Sequence, residues 1–180
     1  MHYKVSDYIV DLVQNSIEAE SSLIVIDYKE DEKRLEVFIA DNGKGMDEET
    51  LANALDPFYS DGKKHKERKV GLGLPFVKQM CESIDGRFEV SSKVDQGTSV
   101  YMDIPLEHTD TPPIGNVAEL FLELMIFDKV KEMVINRYYK GKKYTIIRSE
   151  IIYALGEINN VLSISLLKRY ISQMDDSLKY

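Results

Sequence analysis

Five short motifs rich in polar residues or glycine follow one another between residues 11 and 100 of the chain. A single Gly-x-Gly segment occurs by chance in many turns, so one such motif says little about ligand binding. Five motifs in one order are a strong indication that this part of the chain folds around a ligand site. The motifs are DLVQNSIEA (11–19), DNGKGM (41–46), DPFYS (56–60), GLGLPFV (71–77) and QGTSV (96–100).

The segments that carry these motifs alternate between helical and strand-like patterns. Ser6 is suited to cap a helix that runs to about Ala19, because a serine side chain accepts a hydrogen bond from the first turn. Runs of β-branched residues predict strands, and apolar residues three or four positions apart predict further helices. In chain order we predict strands at SLIVIDY and RLEVFIAD, a helix at DEETLANAL, a turn and helix at GLGLPFVKQMCESI, and strands at RFEVSS and GTSVYMDIPL.

A proline-rich segment divides the chain into two predicted units. Residues 107–115, EHTDTPPIG, contain adjacent prolines that neither continue a helix nor join a strand ladder, and we interpret them as a linker. The first unit then comprises residues 1–106 and the second residues 116–180. In the second unit we predict a helix in NVAELFLELMIFDKV, a hairpin in MVINRYYKGKKYTII, and helices at about 150–155 and 160–174.

The net charge and the cysteine content indicate which binding partners and which cellular compartment to expect. The 180 residues include 23 Lys and Arg against 31 Asp and Glu, a formal charge of -8 that repels a nucleic acid backbone. Cys81 is the only cysteine, and its apolar surroundings predict a small core residue in a reducing compartment. The N-terminus lacks a signal-peptide pattern, and no apolar run reaches the ~18 residues of a membrane span. We expect a cytoplasmic protein that binds neither nucleic acid nor membranes.

The first predicted helix carries a polar face. Asp11, Asn15 and Glu18 share it, because residues three and four apart stack on a helix. A solvated surface is one interpretation of this face. A magnesium site is the other, because hard cations take oxygen ligands and usually keep several waters. The spacing alone leaves both open.

Taken together, the five motifs resemble those of the GHKL ATPases with the Bergerat nucleotide fold. This family includes sensor histidine kinases, MutL, the gyrase B subunit and heat-shock chaperones, and the resemblance covers about residues 5–106. The tract from DPFYS onward is most similar to the histidine kinases, whereas NSIEA is more similar to MutL and gyrase. In the terms of the family, the motifs look like the N box, the first glycine box, the segment before the lid, the second glycine box and the last glycine box.

The resemblance implies both a fold and a pair of ligands. The fold is α+β, a two-layer α/β sandwich whose mixed, mostly antiparallel sheet has helices on one face, with a small C-terminal α/β appendage. The ligands are ATP and Mg2+. Residues 116–180 have no counterpart in the best-known classes of the family, so we expect them to bind a protein partner or to form a homodimer.

Asp41 is the residue that we expect to recognise the base. Its carboxylate can accept a hydrogen bond from the exocyclic amine of adenine, whereas guanine would present a carbonyl at the same edge. Gly43 and Gly45 would let a flat ring approach the backbone. Thr98 would reach the same edge directly or through water, and Met46 would pack on the ring or in the core.

The second glycine box is the expected phosphate site. The N–H groups and the dipole at a helix N-terminus attract anions. Lys69 stands where the family usually has another glycine, and the basic segment 61–69 is either a solvated loop or a lid over the phosphates. The expected phosphate-binding residues are Gly71, Leu72, Gly73 and Leu74.

By the same resemblance, Asn15 is the ligand of the magnesium ion. Asp11 lies one turn earlier, at the position where MutL and gyrase carry a glutamate as general base. Aspartate is shorter by one methylene, and a general base has to come within hydrogen-bond reach of its proton. Glu18 would either assist through water or be solvated.

Three functions remain open at this level. The leading one is an ATP- and Mg2+-binding module that acts as a nucleotide-dependent switch with slow hydrolysis. The second is a stand-alone kinase that phosphorylates a separate protein, since none of His2, His65 and His108 lies in the helical hairpin that a complete sensor kinase needs. The third is a non-catalytic sensor of adenine nucleotide.

Overall fold

The computed structural model describes residues 4–58 and 73–179, and within them it contains six helices and six strands. In chain order the elements are α1 (Val5–Glu18), β1 (Leu23–Glu30), β2 (Arg34–Asp41), α2 (Glu48–Ala54), α3 (Gly73–Ser83), β3 (Arg87–Lys93), β4 (Gly97–Pro105), α4 (Val117–Ile126), β5 (Glu132–Tyr139), β6 (Lys142–Ile147), α5 (Arg148–Leu155) and α6 (Val161–Lys179).

The strands form one mixed sheet in the order β3-β4-β2-β1-β5-β6. Neighbouring strands are antiparallel, except that β1 and β5 are parallel. Alternate residues of the inner strands are buried, which leaves the other face of the sheet more exposed. The predicted mixed, mostly antiparallel sheet with helices on one face is therefore confirmed.

The core lies between the sheet and the helices. Ile26 and Ile39 on the sheet and Ile9 on α1 belong to one buried apolar cluster, and the ring of Phe121 on α4 meets Tyr28 edge to face at 5.5 Å. Cys81 on α3 belongs to the same cluster, and burial raises the pKa of its thiol to about 12. This cysteine is thus a core residue, as its sequence context predicts.

Helix α1 begins earlier than the sequence predicts. Its N-cap is Lys4, and Ser6 lies within the first turn, so the prediction that Ser6 is the cap is wrong. The physical reason is a backbone cap, because the N–H groups of Val5 and Ser6 donate to the carbonyls of Pro113 and Ile114 at 2.9 and 3.0 Å. The proline-rich segment therefore satisfies donors that a side chain would otherwise bind.

The C-terminal hairpin joins the main sheet. Strand β5 pairs with β1 from Leu23 opposite Glu132 to Glu30 opposite Tyr139. The Lys140–Gly141 turn has φ of 47° and 82°, the conformation that a tight hairpin requires. The division into units at 1–106 and 116–180 stays a prediction, but one sheet runs through both of them.

A buried ion cluster fastens α6 to this sheet. The Arg137 side chain on β5 is fully buried and donates to Glu30 of β1 at 2.6 Å and to Asp175 of α6 at 3.0 Å. Lys179 adds a second contact to Asp175 at 3.0 Å. In the ranges 4–58 and 73–179, no helix has the length and apolar character that a membrane span needs.

Candidate functional site

Three polar residues lie in one row across neighbouring strands. Asp41 at the end of β2 pairs with Thr98 near the start of β4, and Thr98 pairs with Ser92 of β3. The side chains of directly opposed residues point to the same face of a sheet. The row therefore brings Asp41 and Thr98, two of the residues predicted from separate motifs, side by side.

The Asp41 carboxylate is held by three donors. Its Oδ2 accepts the Ser16 hydroxyl at 2.7 Å, and its Oδ1 accepts the backbone N–H of Gly43 at 2.8 Å and of Thr98 at 3.3 Å. An ionised carboxylate has about four acceptor positions. One position on Oδ2 thus remains for a further donor, and the orientation of that oxygen is fixed by helix α1 and two strands.

Ser16 is a residue that the sequence reasoning missed. It lies on α1 and is only 4% exposed, and its hydroxyl also approaches the Leu12 carbonyl at 3.4 Å. The one clue in the sequence was its position next to Asn15, because residue 16 of the predicted helix lies between the polar face and the apolar face. Sequence alone does not tell that its partner is Asp41.

The glycines of the first and last glycine boxes are required by close contacts with the backbone. Gly45 has φ of +61°, and a Cβ there would lie 1.9 Å from the Lys93 carbonyl oxygen. A Cβ at Gly43 would lie 2.7 Å from the carbonyl oxygen of Ala19. Gly97 has φ of +93°, and its Cβ would lie 1.9 Å from the Asp41 carbonyl oxygen. The neighbours that exclude larger residues are thus backbone atoms of the protein, whereas the sequence reasoning assigned Gly43 and Gly45 to the approach of a base.

Met46 and Ser92 connect the first glycine box to the sheet edge. The Met46 N–H donates to the Ser92 hydroxyl at 2.9 Å, and the Met46 side chain is half-buried against the core. The Ser92 hydroxyl also lies 3.1 Å from the Gly97 carbonyl and 2.8 Å from the Thr98 hydroxyl. Ser92 belongs to none of the five motifs, so it could not be selected from the sequence.

The N box meets the start of helix α3. A Cβ at Gly73, the first residue of α3, would lie 3.2 Å from Asn15 Nδ2 and 3.4 Å from Asp11 Cβ. Leu74 follows Gly73 and is buried. Asp11 and Asn15 are half-buried on α1, so the polar face of this helix borders the helix start where phosphates are expected.

The remaining predicted residues fall into two groups. Glu18 is exposed and accepts a hydrogen bond from Gln14 at 3.3 Å, which fits a solvated side chain. Gly71, Leu72 and the basic segment 61–69 lie outside the residues that the structure describes. Among residues 4–58 and 73–179, no group of three or more His, Cys, Asp or Glu side chains is placed to hold a metal ion.

Comparison with known proteins identifies the family of residues 4–108. The family described as "Histidine kinase-, DNA gyrase B-, and HSP90-like ATPase" matches residues 4–108. The chain is 32% identical over 107 residues to the sensor protein KdpD of Clostridium acetobutylicum, covering 57% of this chain and 12% of that protein. It is 28% identical over 100 residues to sporulation kinase C of Bacillus subtilis, covering 54% and 22%.

A third relative and one solved structure are also similar to this chain. Sensor histidine kinase AruS of Pseudomonas aeruginosa is 32% identical over 111 residues, covering 58% of this chain and 11% of that protein. The catalytic domain of histidine kinase ThkA superposes with a TM-score of 0.43 at 23% identity, covering 55% of this chain and 64% of that one. The chain thus spans less than a quarter of the length of these curated relatives.

The family match spans all five motifs and runs from the start of α1 to the end of β4. Because it covers more than half of the chain, the protein belongs to the histidine kinase-, DNA gyrase B- and HSP90-like ATPase family.

Proposed function

We propose that the protein binds ATP with Mg2+ and acts as a nucleotide-dependent switch that hydrolyses ATP slowly. The observation that carries the proposal is the Asp41 carboxylate, which three donors hold with one acceptor position left on Oδ2. This fixed acceptor lies beside the half-buried Thr98. A fixed acceptor next to a hydroxyl is suited to bind the amine of a base.

Adenine is the base that fits this acceptor. Its exocyclic amine supplies N–H donors, whereas the corresponding atom of guanine is a carbonyl oxygen that a carboxylate repels. A charge-assisted hydrogen bond of this kind is about twice as strong as a neutral one. Asp41 would therefore supply both affinity for adenine and rejection of guanine, with Thr98 at the same edge.

The phosphates and the metal ion would lie between α1 and α3. Mg2+ is usually held by one or two protein oxygens together with phosphate oxygens and waters, so a single amide ligand is sufficient. Asn15 fits this role, because its amide group faces the first residue of α3 at a position where any side chain on Gly73 would crowd it. When bound, the ion would neutralise phosphate charge.

Hydrolysis would depend on Asp11. This residue lies one turn before Asn15 on the same face of α1, and its Cβ borders Gly73, the start of the proposed phosphate site. A carboxylate in that place can orient a water and accept its proton. The shorter side chain of aspartate favours slow turnover, which suits a switch whose state is set by the bound nucleotide.

Phosphoryl transfer to a protein is the second candidate, and the sequence comparisons favour it. The relatives described above are named as sensor and sporulation kinases. The phosphoacceptor would belong to a separate protein that binds the C-terminal unit. The exposure of Tyr153 and Val161, at 93% and 87%, supports a contact surface there.

One experiment separates these possibilities. The protein would be incubated with ATP labelled on the γ-phosphate and with Mg2+, in the presence and absence of proteins that copurify with it. Free labelled phosphate would support the hydrolysing switch, and a labelled protein would support the kinase. Nucleotide binding without either product would make the protein a sensor, and the absence of nucleotide binding would contradict the proposal as a whole.

A further inference from the structure

The hydroxyl of Ser92 has three hydrogen-bonding neighbours, one in the first glycine box and two at the start of β4. These are the Met46 N–H of the first glycine box at 2.9 Å, the Gly97 carbonyl at 3.1 Å, and the Thr98 hydroxyl at 2.8 Å. A serine hydroxyl offers one proton and two lone pairs, so three neighbours use its full capacity.

Only one arrangement of protons satisfies all three contacts. The Met46 N–H can only donate, and it occupies one lone pair of the Ser92 oxygen. The Gly97 carbonyl can only accept, so it takes the Ser92 proton. The Thr98 hydroxyl then has to donate its own proton to the second lone pair of Ser92. The Thr98 oxygen then keeps its lone pairs as acceptors and has no proton to offer.

We propose that Ser92 sets the base preference of this site by holding the Thr98 hydroxyl as a hydrogen-bond acceptor, which selects 6-aminopurine nucleotides and rejects 6-oxopurine nucleotides. The inference rests on the proposed function, because it concerns the same nucleotide site. Ser92 is a positioning residue in this account, since it acts through Thr98.

The consequence for recognition follows from the row of side chains on the sheet. Asp41 and Thr98 lie on directly opposed positions, and in this arrangement both present acceptors. The amine of adenine has two N–H donors and is compatible with two acceptors. The 6-oxo group of hypoxanthine is itself an acceptor, so it meets unfavourable lone pairs at both residues. Asp41 alone would leave Thr98 free to rotate and donate to that oxo group.

The test compares the affinities of ADP and inosine diphosphate, which differ at the 6-position and in the proton on N1. Calorimetry on the full chain with Mg2+ gives both dissociation constants for the wild type and for Ser92→Ala. Without the Ser92 oxygen, the Thr98 hydroxyl can rotate and donate to an oxo group, so we expect the preference for ADP to fall about three- to tenfold. Ser92→Thr keeps the hydroxyl and should restore the wild-type preference.

Two controls separate positioning from general loosening of the site. Ser91→Ala removes a hydroxyl from the neighbouring position, which is exposed on the other face of β3, and should leave the preference unchanged. In a Thr98→Val background, the Ser92→Ala change should no longer alter the ratio of the two affinities, because the hydroxyl through which it acts is absent. A general loosening through Met46 would weaken both nucleotides equally in either background.

The outcomes distinguish the inference from the function on which it rests. If the wild type binds ADP but Ser92→Ala weakens both nucleotides by the same factor, the inference is overturned and nucleotide binding stands. The inference is also overturned if Ser92→Ala changes the ratio of the ADP and inosine diphosphate affinities equally in the wild-type and the Thr98→Val backgrounds. If the wild type binds neither nucleotide, the proposed function and the inference both fail.

Discussion

The hydroxyl of Ser16 on α1 donates a hydrogen bond of 2.7 Å to Oδ2 of Asp41 at the end of β2. The two residues are 25 positions apart in sequence and belong to different layers of the sandwich. Both atoms are shielded from solvent, because Ser16 is buried and Asp41 is half-buried. The orientation of the Asp41 carboxylate, which we propose to bind the base, therefore depends on the helix as well as on the sheet.

Ser16→Ala should weaken nucleotide binding while the protein remains folded. The change removes one of the three donors that orient the Asp41 carboxylate, and hydrogen bonds to charged groups are worth about 1.5–3 kcal/mol. We expect an affinity for ADP about tenfold lower by calorimetry. Ser21→Ala is the matched control, because Ser21 bonds the carbonyl of Ser16 and does not contact Asp41. Equal affinities in wild type and Ser16→Ala would show that the strands alone orient the carboxylate.

Asp41→Asn should abolish most of the affinity for adenine nucleotides. An amide fits the same space but presents no charged acceptor to the amine of the base, which predicts a loss of roughly tenfold to a hundredfold. Calorimetry measures the loss, and thermal unfolding reports whether the fold is intact. Asp31→Asn makes the same chemical change in the exposed turn between β1 and β2 and should bind like the wild type. An unchanged dissociation constant for Asp41→Asn would mean that the base is held elsewhere.

Asp11→Asn and Asn15→Ala should have different effects although the two residues lie one turn apart. Loss of a general base reduces turnover typically 10²–10⁴-fold and leaves nucleotide affinity in place. Loss of the metal ligand should weaken Mg2+-dependent binding itself. Asp11→Glu should hold or raise the rate, because it provides the longer carboxylate. Paired measurements of affinity and phosphate release test this, and identical behaviour of the Asn and Ala variants would contradict the separate roles.

Gly97→Ala should destabilise the fold much more than Gly141→Ala. Both glycines have positive φ, at +93° and +82°, so alanine is strained at either position. At Gly97 the new Cβ would also lie 1.9 Å from the Asp41 carbonyl oxygen, whereas at Gly141 nothing lies within 4 Å. We expect about 1 kcal/mol of destabilisation at Gly141 and at least about 2 kcal/mol more at Gly97. Denaturant unfolding measures both, and equal losses would show that the β4 backbone moves aside.

Arg137→Met should lower the free energy of unfolding by about 3–5 kcal/mol, because it leaves Glu30 and Asp175 without their buried partner. Lys140→Met is the matched control. It breaks the exposed ion pair between Lys140, in the turn after β5, and Glu32, and it should change stability little. Urea unfolding followed by circular dichroism provides the comparison. If the two variants lose the same amount, the buried cluster does not anchor α6.

Elements with a strong local pattern could be predicted from the sequence. The Lys140–Gly141 turn and the strands beside it follow from alternating residues and a glycine, and the structure confirms them. The family resemblance, which depends on motif order, is also confirmed. Contacts between distant residues escaped prediction. The cap of α1 comes from Pro113 and Ile114, and the partners Ser92 and Met46 are 46 residues apart.

The same limit applies to the sheet as a whole. Nothing in the patterns of β1 or β5 states that they pair, because each strand is compatible with several neighbours. Because residues 107–115 were predicted to be a linker, we expected a separate C-terminal unit. The position of a linker in the sequence does not tell whether strands on its two sides form hydrogen bonds with each other. The polar row was predictable only in part, since Asp41 and Thr98 lie in recognisable motifs and Ser92 does not.

The parallel pairing of β1 with β5 also has a consequence for synthesis on the ribosome. Asp27 and its partner Asn136 are 109 residues apart, so one edge of β1 has no partner until that length of chain has been made. At about 5–20 residues per second, this edge stays open for on the order of ten seconds. An open strand edge can pair with other nascent chains, so a shortened gene product that stops before β5 should be prone to aggregation and to capture by chaperones.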